Sequence, residues 1–340
     1  ILPPEAIASL FLEKGRHTDS RAIGVTDKAL VTNRANPMLQ HGRRGAAVQH
    51  DREYAPVVLI TNTAPMSADV YGGRAKCLQR LTRLDMPVPT TIALSFDAVN
   101  DIARGQPIDL SLVLPHFEDS PLLSVRPSSM SPDWGGPGAI LNIGMNDDTH
   151  RALKAKLGDA AANLLYLRFI NAYAVHVARL DPEEFEEISA PSDDSIRLAL
   201  ATYENEADEE FPQDIETQLS TVIRSMARTW DSTTARLLRQ AKGAPADAGL
   251  GLVVQAMALG VGKGECGSGV IQFVSSETGL PEIRGRYLSQ SQGRDALDPG
   301  AEAIFLTKDP RGPSFQERCP ELWEELLAHG ALGRIRLREE

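Results

Sequence analysis

Cysteine is scarce in this sequence. The chain has three cysteines in 340 residues, Cys77, Cys266 and Cys319. Their odd number and wide spacing predict neither a disulfide framework nor a zinc cluster. Because a chain without structural disulfides is typical of a reducing compartment, we expect a cytoplasmic location.

Positive charge and long apolar runs are also lacking. The formal net charge is −11, which argues against a surface that binds a nucleic-acid backbone, although a local basic pocket is compatible with it. No apolar run approaches the ~20 residues of a membrane helix, and the N-terminus has no basic segment followed by an apolar one, as a signal peptide would. We therefore expect neither a nucleic-acid nor a membrane partner.

The chain does have enough apolar sequence for packed cores. Hydrophobic residues make up 42% of its 340 residues, and this length fits two or three lobes. Residues 1–55 contain scattered arginine, histidine and glycine without a clear pattern, so we interpret them as an N-terminal extension of uncertain order.

The sequence signals for strands and helices become clear after residue 55. Short apolar runs predict strands over 57–60 and 90–94, and a helix is predicted after Gly72, Gly73 and Arg74 that ends before the proline at 87. Glycines before a helix suit an anion, because backbone N–H groups and the positive end of the helix dipole face it, with Arg74 as an added cation. A plain turn with a solvent-facing arginine explains these residues equally well.

The middle third has helical periodicity. Leucine and aromatic positions predict one or two helices over 152–180, a helix start at Asp181 and Pro182, and an amphipathic helix over 215–230. The acidic stretch over 204–214 lacks the glycine of a calcium loop, and we interpret it as a solvated linker.

The last third changes to strand periodicity, and strands are predicted over 252–259, 270–274 and 282–288. The segment 262–267 matches the dinucleotide-binding pattern G-x-G-x-x-G, but strands flank it where that pattern needs a following helix. A flexible cover over a nucleotide, comparable to the glycine loop of kinases, is compatible with this segment.

One segment points most directly to a ligand. Ser124, Val125 and Arg126 are followed by small hydroxyl residues and by a stretch rich in glycine and proline that ends near Asn146. This order places a fixed cation beside a flexible loop rich in hydrogen-bond donors, which suits a polyphosphate better than a core.

These segments together carry a resemblance to a known family. In order and spacing, residues from about 70 to 295 resemble the N-terminal nucleotide-binding region of the pyruvate phosphate dikinase and phosphoenolpyruvate synthase family. The matching segments are 71–75, 86–89, 124–126, 137–146, 211–214, 230–231, 254–257, 267–270 and 291–293.

The resemblance implies an α+β fold of the ATP-grasp type with a helical insertion. The first lobe would span residues 56–240, with the insertion at about 150–210, and a strand-rich second lobe with a C-terminal helix would span 241–340. In this family such a region uses ATP and Mg²⁺ to transfer a phosphoryl group to a histidine on a separate domain. None of the seven histidines has the family's Ser-His-Ala context, so we expect the acceptor in a separate domain or protein.

The resemblance also implies a set of site residues. Arg74 and Arg126 would be the catalytic cations that neutralise phosphate charge, and Gln292 would be a metal ligand. Asp295 is the remaining nearby carboxylate and is predicted as the other metal ligand, with Glu282 as an alternative. The residues implied to hold the nucleotide are Gly72, Gly73, Arg74, Arg126, Val254, Gln255, Ala256, Met257, Gly267, Ser268, Arg286 and Gln292, with the adenine on 254–257. For Gln255 a satisfied side chain inside a sheet is the alternative.

Departures from the family pattern bear on catalysis. Arg74 stands where the family has lysine, and it keeps the charge but not the point-like ammonium. Arg286 replaces a glutamate that helps to hold magnesium, and a cation there would repel the metal. Arg294 stands where the family usually has an acid. The alternative function is therefore a degenerate, non-catalytic nucleotide-binding or regulatory protein, and a third is an interaction domain that binds no nucleotide.

Overall fold

The structure is a computed structural model that describes residues 7–13, 23–25, 54–118, 122–275, 277–293, 295–298 and 300–336. Most of the predicted extension over 1–55 lies outside these residues, as does Arg294. The strands, in chain order, are β1 (Ile7–Glu13), β2 (Ile23–Val25), β3 (Val57–Leu59), β4 (Thr91–Leu94), β5 (Leu123–Ser129), β6 (Ile140–Ile143), β7 (Leu250–Ala256), β8 (Cys266–Val274), β9 (Pro281–Ser289) and β10 (Ile304–Phe305).

The helices complete a mixture of helix and sheet that agrees with the predicted α+β class. They are α1 (Ala68–Arg83), α2 (Phe96–Ala103), α3 (Asp147–Leu157), α4 (Asp159–Tyr173), α5 (Glu183–Glu186), α6 (Asp193–Ala207), α7 (Ile215–Asp231), α8 (Thr233–Ala241), α9 (Phe315–Arg318) and α10 (Pro320–Arg336). A π-helical turn, Ala174–Ala178, follows α4.

The first sheet, sheet I, has the strand order β3-β4-β7-β5-β6, and its pairs are antiparallel. Strand β7 lies at its centre and is buried along its whole length, which explains its continuous apolar sequence. The pairing places Gln255 of β7 between Thr91 of β4 and Ser124 of β5. A row of three buried polar residues therefore crosses the centre of sheet I.

The helices that follow β6 contain an aromatic cluster, which belongs to the same hydrophobic core as the buried residues of sheet I. Tyr166, Phe169, Tyr173, Tyr203 and Phe211 have ring-centroid separations of 5.3–6.3 Å, most of them edge to face, which is the arrangement that aromatic quadrupoles favour. Phe211 belongs to the acidic stretch that the sequence predicts as a solvated linker. That prediction was wrong in part, because residues 204–207 complete α6 and Phe211 is buried.

The second sheet, sheet II, has the strand order β10-β9-β8-β1-β2. Its described core contains Ile271 of β8 and Tyr287 of β9, and these pack with Phe315 and Trp323 from the C-terminal helices α9 and α10. Amphipathic strands and helices that bury their apolar faces together are the usual way to build a second core in a chain of this length.

The predicted elements are found where the sequence places them, but their ends differ. The strand predicted over 252–259 ends at Ala256. Strand β8 begins at Cys266, before the predicted start at residue 270, because glycine lets β9 approach closely. A Cβ atom at Gly267 would lie 2.4 Å from the Leu288 carbonyl oxygen. The helical stretch over 152–180 is divided at Gly158, which has a positive φ of 96°.

In the part of the chain that the structure describes, no helix combines the length and the apolar character needed to cross a membrane.

Helix α1 is kinked near its start. Ser67 caps the first turn, but Gly72 has φ 85° and ψ 166°, which interrupts the helix before it continues to Arg83. The sequence predicts the glycines ahead of the helix, whereas the structure has one helical turn before them. A Cβ atom at Gly72 would lie 1.8 Å from the Ser128 carbonyl oxygen of β5, so only glycine fits both the backbone angles and the space.

We expect Gly72→Ala to destabilise the protein far more than Gly105→Ala. Gly105 also has a positive φ, 100°, but a Cβ atom there would meet nothing within 4 Å, so its substitution costs roughly 1–2 kcal/mol of backbone strain. Gly72→Ala adds a clash with β5 and is expected to cost about 3 kcal/mol or more. Urea unfolding followed by circular dichroism measures both, and equal losses would contradict this account of Gly72.

Candidate functional site

The glycine turn of α1 is fastened to β5 by one hydroxyl group. Ser128 Oγ donates a hydrogen bond to the Tyr71 carbonyl oxygen (2.7 Å) and accepts one from the Ala75 N–H (3.1 Å). Both bonds are buried. The hydroxyl thus spans the kink at Gly72, and the start of the main helical segment lies directly against β5.

This attachment brings two predicted site residues together. Arg126 lies two residues before Ser128 on β5, so their side chains share a face of the strand. Arg74 lies two residues after Gly72 on α1. Burial lowers the pKa of the Arg74 guanidinium well below its usual value, and the positive charge of Arg126 lowers that pKa further. The two arginines are therefore close enough for their charges to interact.

Two neighbouring guanidinium groups repel each other and attract an anion. Like charges in a partly buried place raise each other's free energy, and an anion between them reverses that effect. Each guanidinium presents a planar fork of N–H donors that matches phosphate oxygens. The break at Gly72 adds a fresh helix start, whose first amides lack partners in the preceding turn, although Ser128 already takes the Ala75 N–H. The arrangement suits a polyanion.

The residues predicted for the adenine occupy the end of β7. The Gln255 side chain donates from Nε2 to Thr91 Oγ1 (2.8 Å), and Ser124 Oγ donates to the Gln255 carbonyl oxygen (3.4 Å). The Met257 N–H donates to the Leu122 carbonyl oxygen at 2.9 Å, and the Ala256 N–H donates to the Thr90 carbonyl oxygen at 2.9 Å. The Gln255 side chain is thus satisfied inside the sheet, as the alternative interpretation has it.

Val254 of β7 is also engaged in sheet I. It is fully buried and pairs with Ile92 on one side and Val125 on the other. Beyond Met257, the chain leaves sheet I and crosses to β8 of sheet II. Any adenine contact at 254–257 therefore comes from the crossing segment or from carbonyl oxygens at the end of β7. That contact stays a prediction.

Gly267 and Ser268 lie in β8 of sheet II. Ser268 is fully buried, and its hydroxyl lies 2.6 Å from that of Ser291. The Ser268 N–H also donates to Ser291 Oγ (3.1 Å). These bonds fix the segment after β9, in which Ser291 is followed directly by Gln292. Both predicted residues thus support sheet II in the described structure.

The glycine loop before β8 is tied at several points. The Gly262 N–H donates to Gln290 Oε1 (2.9 Å), and Gln290 Nε2 donates to the Gly264 carbonyl oxygen (2.8 Å). Lys263 Nζ reaches the Ala155 carbonyl oxygen at the end of α3 (2.9 Å). The predicted flexible cover over a nucleotide is therefore a loop held by side-chain hydrogen bonds.

The predicted metal ligands are paired with other side chains. The Gln292 amide exchanges hydrogen bonds with the Asn142 amide, and Asp295 Oδ2 lies 2.7 Å from Arg168 Nη1. Arg286 donates from Nη2 to the carbonyl oxygens of Ala303 (3.2 Å) and Ala301 (3.4 Å). Among the described residues, no group of three or more His, Cys, Asp or Glu side chains is placed to hold a metal ion.

The structure adds three residues that sequence reasoning missed. Ser128 fastens the glycine turn, and Asn142 and Arg168 contact the predicted metal ligands. Asn142 lies inside the segment 137–146 that the resemblance singles out, and Ser128 belongs to the small hydroxyl residues that follow Arg126, so both positions were available as a signal. Nothing in the local sequence marks Arg168, because its partner Asp295 is distant along the chain.

An open groove of about 770 Å³ lies elsewhere on the surface. Pro107, Ile108 and Leu114 line one side of it, and Glu216 and Arg224 of α7 line the other. None of the residues predicted for ATP or for the metal lines this groove.

We expect Ser128→Ala to destabilise the protein by roughly 1–3 kcal/mol, because it leaves a buried carbonyl oxygen and a buried N–H without their shared partner. Ser129→Ala is the matched control. Ser129 Oγ donates only to the Ser131 carbonyl oxygen in a partly buried place, so a loss of roughly 0.5 kcal/mol is expected. Urea unfolding of both variants tests this, and equal stabilities would show that Ser128 does not hold the turn.

Comparison with known proteins gives a consistent relationship. No model of a protein family matches the chain. The pyruvate, phosphate dikinase of Rhizobium meliloti (strain 1021) is 29% identical over 301 residues, which are 76% of this chain and 33% of that protein. The Clostridium symbiosum pyruvate, phosphate dikinase is 29% identical over 267 residues, which are 67% of this chain and 30% of that protein.

A plant relative extends the same pattern. The chloroplastic pyruvate, phosphate dikinase of Mesembryanthemum crystallinum is 25% identical over 294 residues, which are 76% of this chain and 30% of that protein. This chain thus spans about a third of the length of these curated relatives. It is related to the pyruvate, phosphate dikinases through a region that makes up most of this chain and a minor part of theirs.

Proposed function

We propose that this chain is an adenine-nucleotide-binding module of the ATP-grasp type. The observation that carries the proposal is the approach of Arg74 and Arg126 at the kink of α1, where each charge acts on the other. The relatives are named as dikinases of pyruvate and phosphate, so a phosphate-binding function agrees with the relationship.

The charges favour a polyphosphate over a neutral ligand. Two guanidinium groups side by side supply two forks of N–H donors, and a chain of phosphates offers oxygens to both of them. A neutral nucleoside would leave the repulsion between the two cations in place. The phosphates of ATP would therefore lie beside Gly72 and Gly73, between Arg74 and Arg126.

The two sheets offer a place for the rest of the nucleotide. In an ATP-grasp arrangement the nucleotide lies between two lobes, and here the chain passes from sheet I to sheet II directly after β7. The crossing segment begins at Met257, whose side chain is partly exposed. An apolar side chain at that position suits contact with an adenine ring. Val254, Gln255 and Ala256 would support it from the end of β7.

Phosphoryl transfer by this module would need an acceptor outside the chain. The resemblance implies a histidine on a separate domain or protein, and Arg74 and Arg126 would then stabilise charge on the transferred group. The second candidate function is nucleotide binding without transfer, as in a regulatory protein. Arg286 favours this second candidate, because a cation stands where the family has a carboxylate, and its guanidinium donates to backbone carbonyls.

We expect Arg126→Ala to weaken ATP binding by about 10- to 100-fold, since a hydrogen bond to a charged group contributes about 1.5–3 kcal/mol. Adenosine affinity is expected to stay the same, because adenosine carries no phosphate. Isothermal titration calorimetry with both ligands measures the difference. The control is Arg151→Ala, which removes an arginine that is exposed and paired only with exposed Asp148.

An equal loss of affinity for ATP and adenosine in Arg126→Ala would reject a phosphate-binding role for this arginine. Failure of the unmodified protein to bind ATP or adenosine would favour the third reading, an interaction domain without a nucleotide. Circular dichroism of each variant establishes that it is folded before the titration.

A further inference from the structure

The side chain of Gln292 is committed to another amide. Gln292 Nε2 donates to Asn142 Oδ1 (3.2 Å), and Asn142 Nδ2 donates to Gln292 Oε1 (3.4 Å). Both residues are buried, with 2% and 1% of their surfaces exposed. The oxygen that a metal ion would need therefore accepts a hydrogen bond, and breaking the pair would remove a hydrogen-bond partner from each of two buried amides.

Asp295 has a positive partner of its own. Its Oδ2 atom lies 2.7 Å from Arg168 Nη1 and accepts a hydrogen bond from the Gln292 N–H at 3.0 Å. A carboxylate whose charge is already balanced by a guanidinium attracts a divalent cation weakly. Both donors lie on the Oδ2 atom, so a magnesium ion would have to displace them in order to bind that oxygen.

Residue 286 is the third position that bears on a metal site, and it carries a positive charge where the family has a negative one. Arg286 presents a guanidinium in place of the carboxylate found in the family, and its Nη2 donates to the carbonyl oxygens of Ala303 and Ala301. An arginine stays protonated in proteins, so its charge opposes a divalent cation nearby. Arg286, Gln292 and Asp295 therefore do not fit a magnesium ion.

The contacts of Gln292 and Asp295 join the two sheets. Asn142 lies at the β6 edge of sheet I, where its φ of 63° and a hydrogen bond from Nδ2 to the Leu165 carbonyl oxygen (3.2 Å) hold it against α4. Arg168 lies on α4 as well. Gln292 and Asp295 follow β9 of sheet II. Asn142, Arg168, Gln292 and Asp295 thus form an inter-sheet joint.

We infer that this chain binds its nucleotide without a divalent cation. The predicted metal ligands Gln292 and Asp295 are engaged in the inter-sheet joint, and Arg286 lacks the carboxylate of the family. Arginine side chains supply the positive charge that the metal would bring. The inference rests on the proposed function, and it specifies the form of the ligand as a metal-free nucleoside triphosphate.

The first test is calorimetric titration of the full chain with ATP, once in excess MgCl2 and once in EDTA at the same ionic strength. We expect ATP to bind in EDTA at least as tightly as in magnesium, because free ATP carries more negative charge toward the arginines. Binding that is about tenfold or more tighter in magnesium would overturn the inference. Absence of binding in both buffers would overturn the proposed function, and the inference with it.

The second test uses Arg286→Glu, which restores the family carboxylate. We expect its ATP affinity to remain independent of magnesium, because Gln292 and Asp295 stay engaged in the joint. A magnesium requirement that appears in this variant would show that the joint does not occupy the metal position, and would contradict its role here.

The joint has a test that needs no nucleotide. Arg168→Met removes the partner of Asp295, and we expect the melting temperature of the protein to fall by about 2–4 °C. Arg151→Met, on α3, removes an exposed pair with Asp148 and should change it by less than about 1 °C. Unfolding with MnCl2 alone should show no shift beyond that of NaCl at equal ionic strength. A manganese-specific rise, or no loss in Arg168→Met, would contradict the joint.

Discussion

The approach of Gly72 to the carbonyl oxygen of Ser128 is the constraint on which the candidate site depends. A side chain at residue 72 would occupy the space that β5 fills, so glycine allows α1 to lie on the strand. The Ser128 hydroxyl then holds the kinked helix by bonds to Tyr71 and Ala75. Arg74 and Arg126 are brought together because each lies two residues from this contact.

The arginine pair gives the protein a local field opposite to its overall charge. The chain has a net charge of −11, yet the charges of Arg74 on α1 and Arg126 on β5 are close enough to interact. In a protein with a negative net charge, a local pair of cations acts on an anion mainly at short range, because salt screens the field of exposed charges beyond about 10 Å.

Much of the fold could be predicted from the sequence, because its signals are local. The amphipathic period gives α7, and the apolar runs give β4 and β7 to within a few residues. The kink at Gly72 could not be placed in this way, because its reason is the distant strand that contacts it.

The candidate site, too, could be predicted from the sequence only where its signals are local. The segments that contain Arg74 and Arg126 could be singled out by composition and resemblance. The reciprocal amide pair of Asn142 and Gln292 could not, since it joins residues 150 positions apart. The Gln292 side chain has an oxygen that could bind a metal ion, but this oxygen takes part in a tertiary contact that no local sequence pattern reveals.

The row of three buried polar residues across sheet I affects the alignment of its strands during folding. In the observed alignment of β4, β7 and β5, the Gln255 side chain donates to Thr91 Oγ1, and Ser124 Oγ donates to the Gln255 carbonyl oxygen. A slip by one residue would turn the Gln255 amide to the opposite face, away from Thr91, and bury it unpaired among apolar neighbours. The hydrogen bond between Gln255 and Thr91 therefore distinguishes the observed alignment of β4 and β7 from a slip by one residue during folding.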